Sequence, residues 1–511
     1  MRRNTRTHWT ATARRWPLTL AAALAVALAL ALTAACDQAA RPGALPTAPA
    51  ATYTPATPPE APTAAPTALP TVLPTASAPP TAAPAETRLP SCAPPLCAPG
   101  EVLHCPGECP GGCGVVCATP EPLVIAPQVA PALVVAYERE GALWAAIGPG
   151  APRLVAGAEG GRLFVPLLSP DGRRVLYRRG VDAAPGATEL WVVETDPGSE
   201  EYRGPRRVAS GAAMDAAAPR EAGAEGARAV GEARWLADGR RFAFSTVSEG
   251  LLGALPTWDL WLGDARDGSL LRYLPEGQGG RPFPAPIGDL ALLSEARSAT
   301  LVDLGGGPLR KVITFPAVNT ASEWAWTPRP TWLPDGSAAL VPVTSAEPFA
   351  PGASCALWRV SREGQAAQIG SLPVPCLGAD MMDRLWSPGE GRLAYLDEAS
   401  GALLVADGDG SNAQTLATGV SEFLGWAPEG RRLAYRAGGR AWLNVDTPGA
   451  EAIPLGPEEA GEVFEARWPG GAALVASAGL REAPTLWVLG EEGGPRVVDS
   501  RVTAFAAGLY R

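Results

Sequence analysis

Beyond about residue 130 the chain is written in short apolar runs that alternate with polar positions and are cut by Pro, Gly and Asp. Period-two alternation over such lengths predicts half-buried β-strands, and the stretches between them lack helical periodicity. One phrase keeps returning. Leu168-Ser169-Pro170-Asp171-Gly172-Arg173-Arg174-Val175-Leu176-Tyr177 is one copy, and Trp235-Leu236-Ala237-Asp238-Gly239-Arg240-Arg241-Phe242-Ala243-Phe244 is the next. Trp332-Leu333-Pro334-Asp335-Gly336, Trp386-Ser387-Pro388-Gly389 and Trp426-Ala427-Pro428-Glu429-Gly430 follow. A Trp or Ser closes one strand and Pro presets φ for a tight turn. Asp then bonds its own backbone, and Gly takes positive φ. The predicted turn residues are therefore Asp171, Gly172, Asp238, Gly239, Asp335, Gly336 and Gly430.

Each copy expands into four strands. The second alternates, and the third carries Leu-Trp or a relative, as in Leu143-Trp144, Leu190-Trp191, Leu260-Trp261, Leu357-Trp358, Ala441-Trp442 and Leu486-Trp487. The fourth is short and apolar, and turns such as Asp407-Gly408-Asp409-Gly410 lead into it. A strand-turn-strand repeat at this spacing predicts a closed all-β array. The tryptophans recur at fixed points of the unit, which assigns them to packing between sheets rather than to a ligand cage.

The Ser/Trp-x-Pro-Asp-Gly-basic-basic phrase resembles the repeat of TolB-type β-propellers, over residues 130–511. That resemblance implies four-stranded blades around a central channel. Turns near Asp171, Asp238, Asp289, Asp335, Gly389, Glu429 and Gly470 mark seven blades. Residues 132–157 supply second, third and fourth strands without a first, and 502–509 read as a lone first strand. Closing the ring with that C-terminal strand makes eight. Seven is the alternative if the eroded copy at Asp289 is an insertion. Cys355 begins a third strand and Cys376 lies just past the fourth, so antiparallel pairing predicts a disulfide inside one blade. The Ala/Glu/Arg-rich stretch 211–230 reads as a mobile insertion with room for one helical turn.

Residues 1–35 hold five arginines and no acid, then an apolar run ending Leu32-Thr33-Ala34-Ala35-Cys36. This resembles a bacterial lipoprotein signal, which implies cleavage before Cys36 and its acylation. An uncleaved span is the alternative, since the run is about the shortest that crosses a bilayer. Either way the bulk of the chain lies outside the cytoplasm, and the first places it lipid-anchored in the cell envelope. Residues 36–90 are nearly all Pro, Ala and Thr, a disordered spacer. Residues 91–118 carry Cys92, Cys97, Cys105, Cys109, Cys113 and Cys117. In an exported chain they read as a disulfide-stapled module whose pairing stays open. A metal site using His104 is the rival, against which the zinc-type C-x2-C spacing is missing. The head spans 125–511.

The formal net charge of −10 makes the chain a poor partner for nucleic acid. The only histidines are His8 and His104, both outside the repeats, so the head has no histidine base, triad or histidine metal site. Neither Gly-x-Ser-x-Gly nor the sialidase box Ser-x-Asp-x-Gly-x-x-Trp occurs. No catalytic residue, metal or cofactor is predicted. The expected function is binding: a monomeric head whose channel mouth and loops hold an envelope protein or polysaccharide. The alternative is a carboxylate-dependent carbohydrate-active hydrolase or lyase, for which the sequence singles out no acid pair. TolB proteins carry an α/β domain ahead of the propeller and work with peptidoglycan-associated lipoprotein. Here a spacer and cysteine module stand in that place, so the resemblance implies an envelope location without a named partner.

Overall fold

A computed structural model describes residues 102–104, 116–118 and 131–511, apart from 159–160, 182–183, 221–226, 251–252, 323, 471–472 and 490–493. The chain divides into two units, 1–121 and 122–511. In the first, Val102–His104 pairs antiparallel with Val116–Ala118, setting Cys117 opposite Leu103. The expected signal segment, Cys36, the spacer, Cys92, Cys97, Cys105, Cys109 and Cys113 lie outside the described residues.

The second unit is a ring of eight antiparallel sheets. The inner strands of blades 2 to 5 are Leu163–Leu168, Ala227–Trp235, Arg281–Pro284 and Thr331–Trp332. Val420–Trp426 and Val463–Gly470 serve blades 7 and 8. Blade 1 takes its inner strand from the C-terminus: Val502–Tyr510 pairs with Ala132–Arg139 from Ala132 opposite Tyr510 to Arg139 opposite Val502. The ring is thus an eight-bladed β-propeller closed by its last strand. The eroded copy is a full blade, with Leu290–Ser294 paired on both sides.

The repeated phrase performs three jobs. Gly172, Gly239, Gly336 and Gly430 stand at φ 70°, 61°, 67° and 74°. Asp238 accepts from the backbone N–H of Arg240 and Arg241, both at 2.8 Å, and Asp335 from that of Ser337 at 2.9 Å. The basic residues then staple neighbouring blades. Arg174 donates to the Gly239 carbonyl of the next turn (3.1 Å), and Arg241 to Asp289 of the turn after that (2.6 Å). The strand-end tryptophans point the other way round the ring. Indole N–H groups of Trp235, Trp332 and Trp426 donate to Leu167, Phe283 and Leu385 carbonyls of the preceding blade at 2.9, 2.8 and 3.2 Å.

The Leu-Trp phrase has its own geometry. Pairing of third with outer strand shifts register between Leu143 and Trp144, Leu190 and Trp191, Leu260 and Trp261, Leu357 and Trp358, and Leu486 and Trp487. A bulge at this step adds twist to the outer half of each blade. The leucine of each pair is buried between sheets.

Two segments depart from the expected plan. Blade 6 has three strands, Arg392–Asp397, Ala402–Asp407 and Gln414–Ala417, and its inner edge shrinks to a single bridge from Trp386 to Leu393. A short helix, Ala379–Arg384, occupies the chain just before it, and Met382 and Leu385 are buried in the core there. The described parts of 211–230 also differ from a wholly mobile insertion. Gly211–Ala217 is helical, capped by Ser210 Oγ accepting from Ala213 N–H at 3.2 Å, and it buries Met214 between blades 2 and 3. Its last residues, from Ala227, already belong to the inner strand of blade 3. Cys355 and Cys376 form a disulfide with Cα atoms 5.5 Å apart.

Candidate binding site in the central channel

Inner strands of blades 1, 2, 3, 4 and 8, the segment ahead of the blade 5 inner strand and the blade 6 helix line a cavity of about 620 Å³ at the ring's centre. Its charged lining is Arg178, Arg234, Arg281, Arg329 and Arg467 against Glu232 and Asp383. An acidic chain has therefore concentrated arginine in its channel.

Glu232 is the hub. It lies in the irregular part of the blade 3 inner strand, where pairing with the second strand shifts between Val230 and Ala233. The backbone there packs closely, since a Cβ on Gly231 would stand 2.9 Å from the Ser245 carbonyl oxygen. The offset aims Glu232 at the channel beside Arg234, two residues on and on the same face. Arg234 pairs with it directly, Arg329 reaches it at 3.4 Å and Arg281 at 3.9 Å. Burial by itself would raise the Glu232 carboxyl, but Arg234, Arg329, Arg281 and Arg178 together hold it below the ordinary glutamate value. It is a carboxylate at neutral pH.

Arg329 extends the network across the channel. Its Nε lies 2.8 Å from Asp383 on the blade 6 helix, so one guanidinium bridges blade 3 to blade 6. Phe283, buried on blade 4, lies under both Arg234 and Arg329, 5.7 Å from each guanidinium. Arg178 is held differently. It donates to the Gly231 carbonyl at 3.2 Å, and burial pulls its pKa below the ordinary arginine value against the opposing pull of Glu232.

Aromatic groups complete the wall. Trp258, Trp468 and Phe505 line the same cavity. Trp258 is half-exposed and its backbone stands at φ +53°, in the left-handed region. Trp468 takes the position in blade 8 that Trp235, Trp332 and Trp426 take in theirs, yet its indole N–H is buried without a partner.

The turn residues Asp171, Asp238 and Asp335 sit elsewhere, bound into their own turns. Asp407 closes a hairpin, ion-paired to Arg392 at 2.9 Å and accepting from Asn412 at 2.7 Å. Among the described residues no group of three or more His, Cys, Asp and Glu is placed to hold a metal ion. A second cavity, about 500 Å³, lies between blades 4 and 5, where Asp289, Asp303 and Glu363 face Arg310 and Arg362. There acids and bases are nearly matched, and Asp289 is already tied to Arg241. The channel cluster was not legible in the sequence, because each arginine comes from a different blade and none is one of the phrase's paired basic residues.

The fold and site define an eight-bladed β-propeller with an arginine-lined channel. No family model and no curated protein matches the chain. Solved structures with a similar fold include a eukaryotic initiation factor, at 11% identity and TM-score 0.44 over 74% of this chain and 98% of that one. Oligopeptidase B from Trypanosoma brucei matches at 13% and 0.42, over 73% of this chain and 60% of its own. TolB from Acinetobacter baumannii matches at 11% and 0.32, over 74% and 66%. The chain thus spans less than two thirds of the last two. These likenesses concern fold alone, and the eight-bladed ring rests on its strand pairings.

Proposed function

We propose that this protein is a lipid-anchored binding scaffold of the bacterial cell envelope, holding a protein or glycan in the channel of its propeller. The small-residue run before Cys36 and the resemblance of the turn phrase to TolB-type repeats support the location. The observation that carries the binding role is the state of the channel acids. Glu232 is kept ionised by surrounding guanidiniums, and Asp383 is paired with Arg329. A carboxylate-dependent glycosidase needs one channel acid protonated near neutral pH to donate to the leaving group. Arginine pairing works against that state and leaves a preformed, charged recognition surface.

The test places a photo-crosslinking amino acid at Ala506, in the channel wall, and separately at Leu480, which is 71% exposed at the end of strand Ala473–Leu480. Irradiation of cells making the full chain is expected to yield an envelope component attached at Ala506. Adducts at Leu480 alone would overturn the channel reading. Mass spectrometry of the mature N-terminus is expected to find acylated Cys36, and an intact Met1 would overturn the anchor.

A further inference from the structure

The channel's chemistry extends the binding reading, on which this inference rests, to a class of ligand. Among the described side chains, Arg178, Arg234, Arg281, Arg329 and Arg467 face Glu232 and Asp383, an excess of positive charge, and Arg467 is paired with Glu465 at 2.8 Å. Arg234 and Arg329 are engaged by the two acids at close range. Among the described residues no carboxylate lies within ion-pair distance of Arg178, and Arg281 reaches Glu232 only at 3.9 Å. Half-buried guanidiniums without a full counter-charge lose hydration that an incoming anion restores through charge-assisted hydrogen bonds.

Trp258 adds a second requirement. Its left-handed backbone is a conformation that non-glycine residues seldom keep unless the surroundings enforce it. Here the Gly279 N–H donates to the Trp258 carbonyl at 2.6 Å. The result is a half-exposed indole on the wall of the cavity that the arginines also line. A flat aromatic face sharing one cavity with guanidiniums matches a pyranose ring bearing a carboxylate, because the ring's C–H face stacks while the acid meets the fork. We propose that the channel binds an acidic saccharide, with its carboxylate on Arg178 and Arg281 and a sugar ring on Trp258. An acidic peptide would use the same arginines but would leave the indole without a role.

Calorimetry on the full chain tests this with three probes: hyaluronan tetrasaccharide, which carries glucuronate, neutral chitotetraose, and tetraglutamate. The acidic tetrasaccharide is expected to bind at least about tenfold tighter than the neutral one, and more weakly as salt rises from about 50 to about 300 mM. Arg281→Gln and Arg178→Gln are each expected to weaken it about tenfold or more. Trp258→Gly should do the same without lowering the melting temperature, since glycine accepts the local φ. Should the glycine variant fold poorly, Trp258→Asn, which also tolerates the left-handed backbone, supplies the same test. Equal affinity for the two tetrasaccharides overturns the proposal. So does tetraglutamate binding as tightly as the acidic tetrasaccharide, or tetrasaccharide binding that Trp258→Gly leaves unchanged. Absence of saccharide binding with Ala506 adducts still present overturns the acidic-saccharide inference alone. Absence of both overturns the binding reading as well.

Discussion

Two residues show how narrowly this ring is specified. Gly172 combines positive φ with a close approach: a Cβ there would lie 2.5 Å from the Leu509 carbonyl oxygen of the closing strand. At Gly430 the φ is similar, but the nearest atom to a Cβ would be Pro388 Cδ at 3.5 Å. Left-handed backbone costs an alanine about 1 kcal/mol, and a clash with backbone adds about 1–3 kcal/mol more. Denaturant titration should therefore find Gly172→Ala clearly more destabilised than Gly430→Ala. Equal losses would mean that strand Val502–Tyr510 yields locally. Asp259 is the second case. Fully buried, it accepts from Thr246 N–H (2.8 Å), Thr246 Oγ1 (2.7 Å) and Trp261 Nε1 (2.7 Å). Asp259→Ala would strand those donors in the core, at about 3 kcal/mol or more. A drop under about 1 kcal/mol would show that water replaces the carboxylate.

At the scale of elements, the blade is a repeated unit whose variation marks what the ring has been adapted to do. Blade 5 is closed by the Cys355–Cys376 disulfide, with a sequence separation of 21. A crosslink over such a loop contributes about 3 kcal/mol in the chain-entropy account. Cys355→Ala with Cys376→Ala should lower the melting temperature, and the wild type in reductant should approach the variant once the buried bond is reduced. An unchanged variant would assign the blade's stability to its strands alone. This disulfide, the turn glycines and the closing strand were legible in the sequence because each follows from local periodicity and turn chemistry. The shrunken inner edge of blade 6 was not. Trp386-Ser387-Pro388-Gly389 keeps the turn, with Glu390 at φ 52° where other copies place glycine, but strand formation ahead of it competes with the helix Ala379–Arg384, whose burial of Met382 wins. Nor was the channel legible. Arg178 lies on a second strand, Arg234 and Arg281 on inner strands, and Arg329 ahead of one, so only ring closure brings them together. The register irregularity at Gly231 and Glu232, which aims the hub acid, has no counterpart in the repeated phrase.

For the whole molecule, the decisive joint is where the two ends of the head meet. The closing strand supplies the backbone pairing, and side chains from blade 8 lock it. Asp499, in the outer strand of blade 8, accepts from Tyr137 and ion-pairs with Arg139, both on the second strand of blade 1. Burial would raise the Asp499 carboxyl, but bonds from Tyr137, Arg139 and the Ser500 N–H hold it below the ordinary aspartate value. A depressed folded-state pKa means that the unfolded chain takes up the proton first. The stabilisation is then fully present above the unfolded value and is lost as pH falls through the folded one. Melting temperature should therefore decline from about pH 5 downward. Asp499→Asn should be less stable at neutral pH and show a shallower acid decline, because one of the titrating locks is gone. Parallel curves for variant and wild type would show that acid acts on other carboxylates, such as Glu232, before it reaches this joint. Deleting residues 502–511 is the severer test. It removes the whole pairing partner of Ala132–Arg139 and bares an inner edge of unpaired backbone groups. The truncated chain should associate through that edge, visible as a concentration-dependent rise in sedimentation coefficient. A truncated chain that remained monomeric with an undiminished melting temperature would show that blades 1 and 8 hold the ring without the strand.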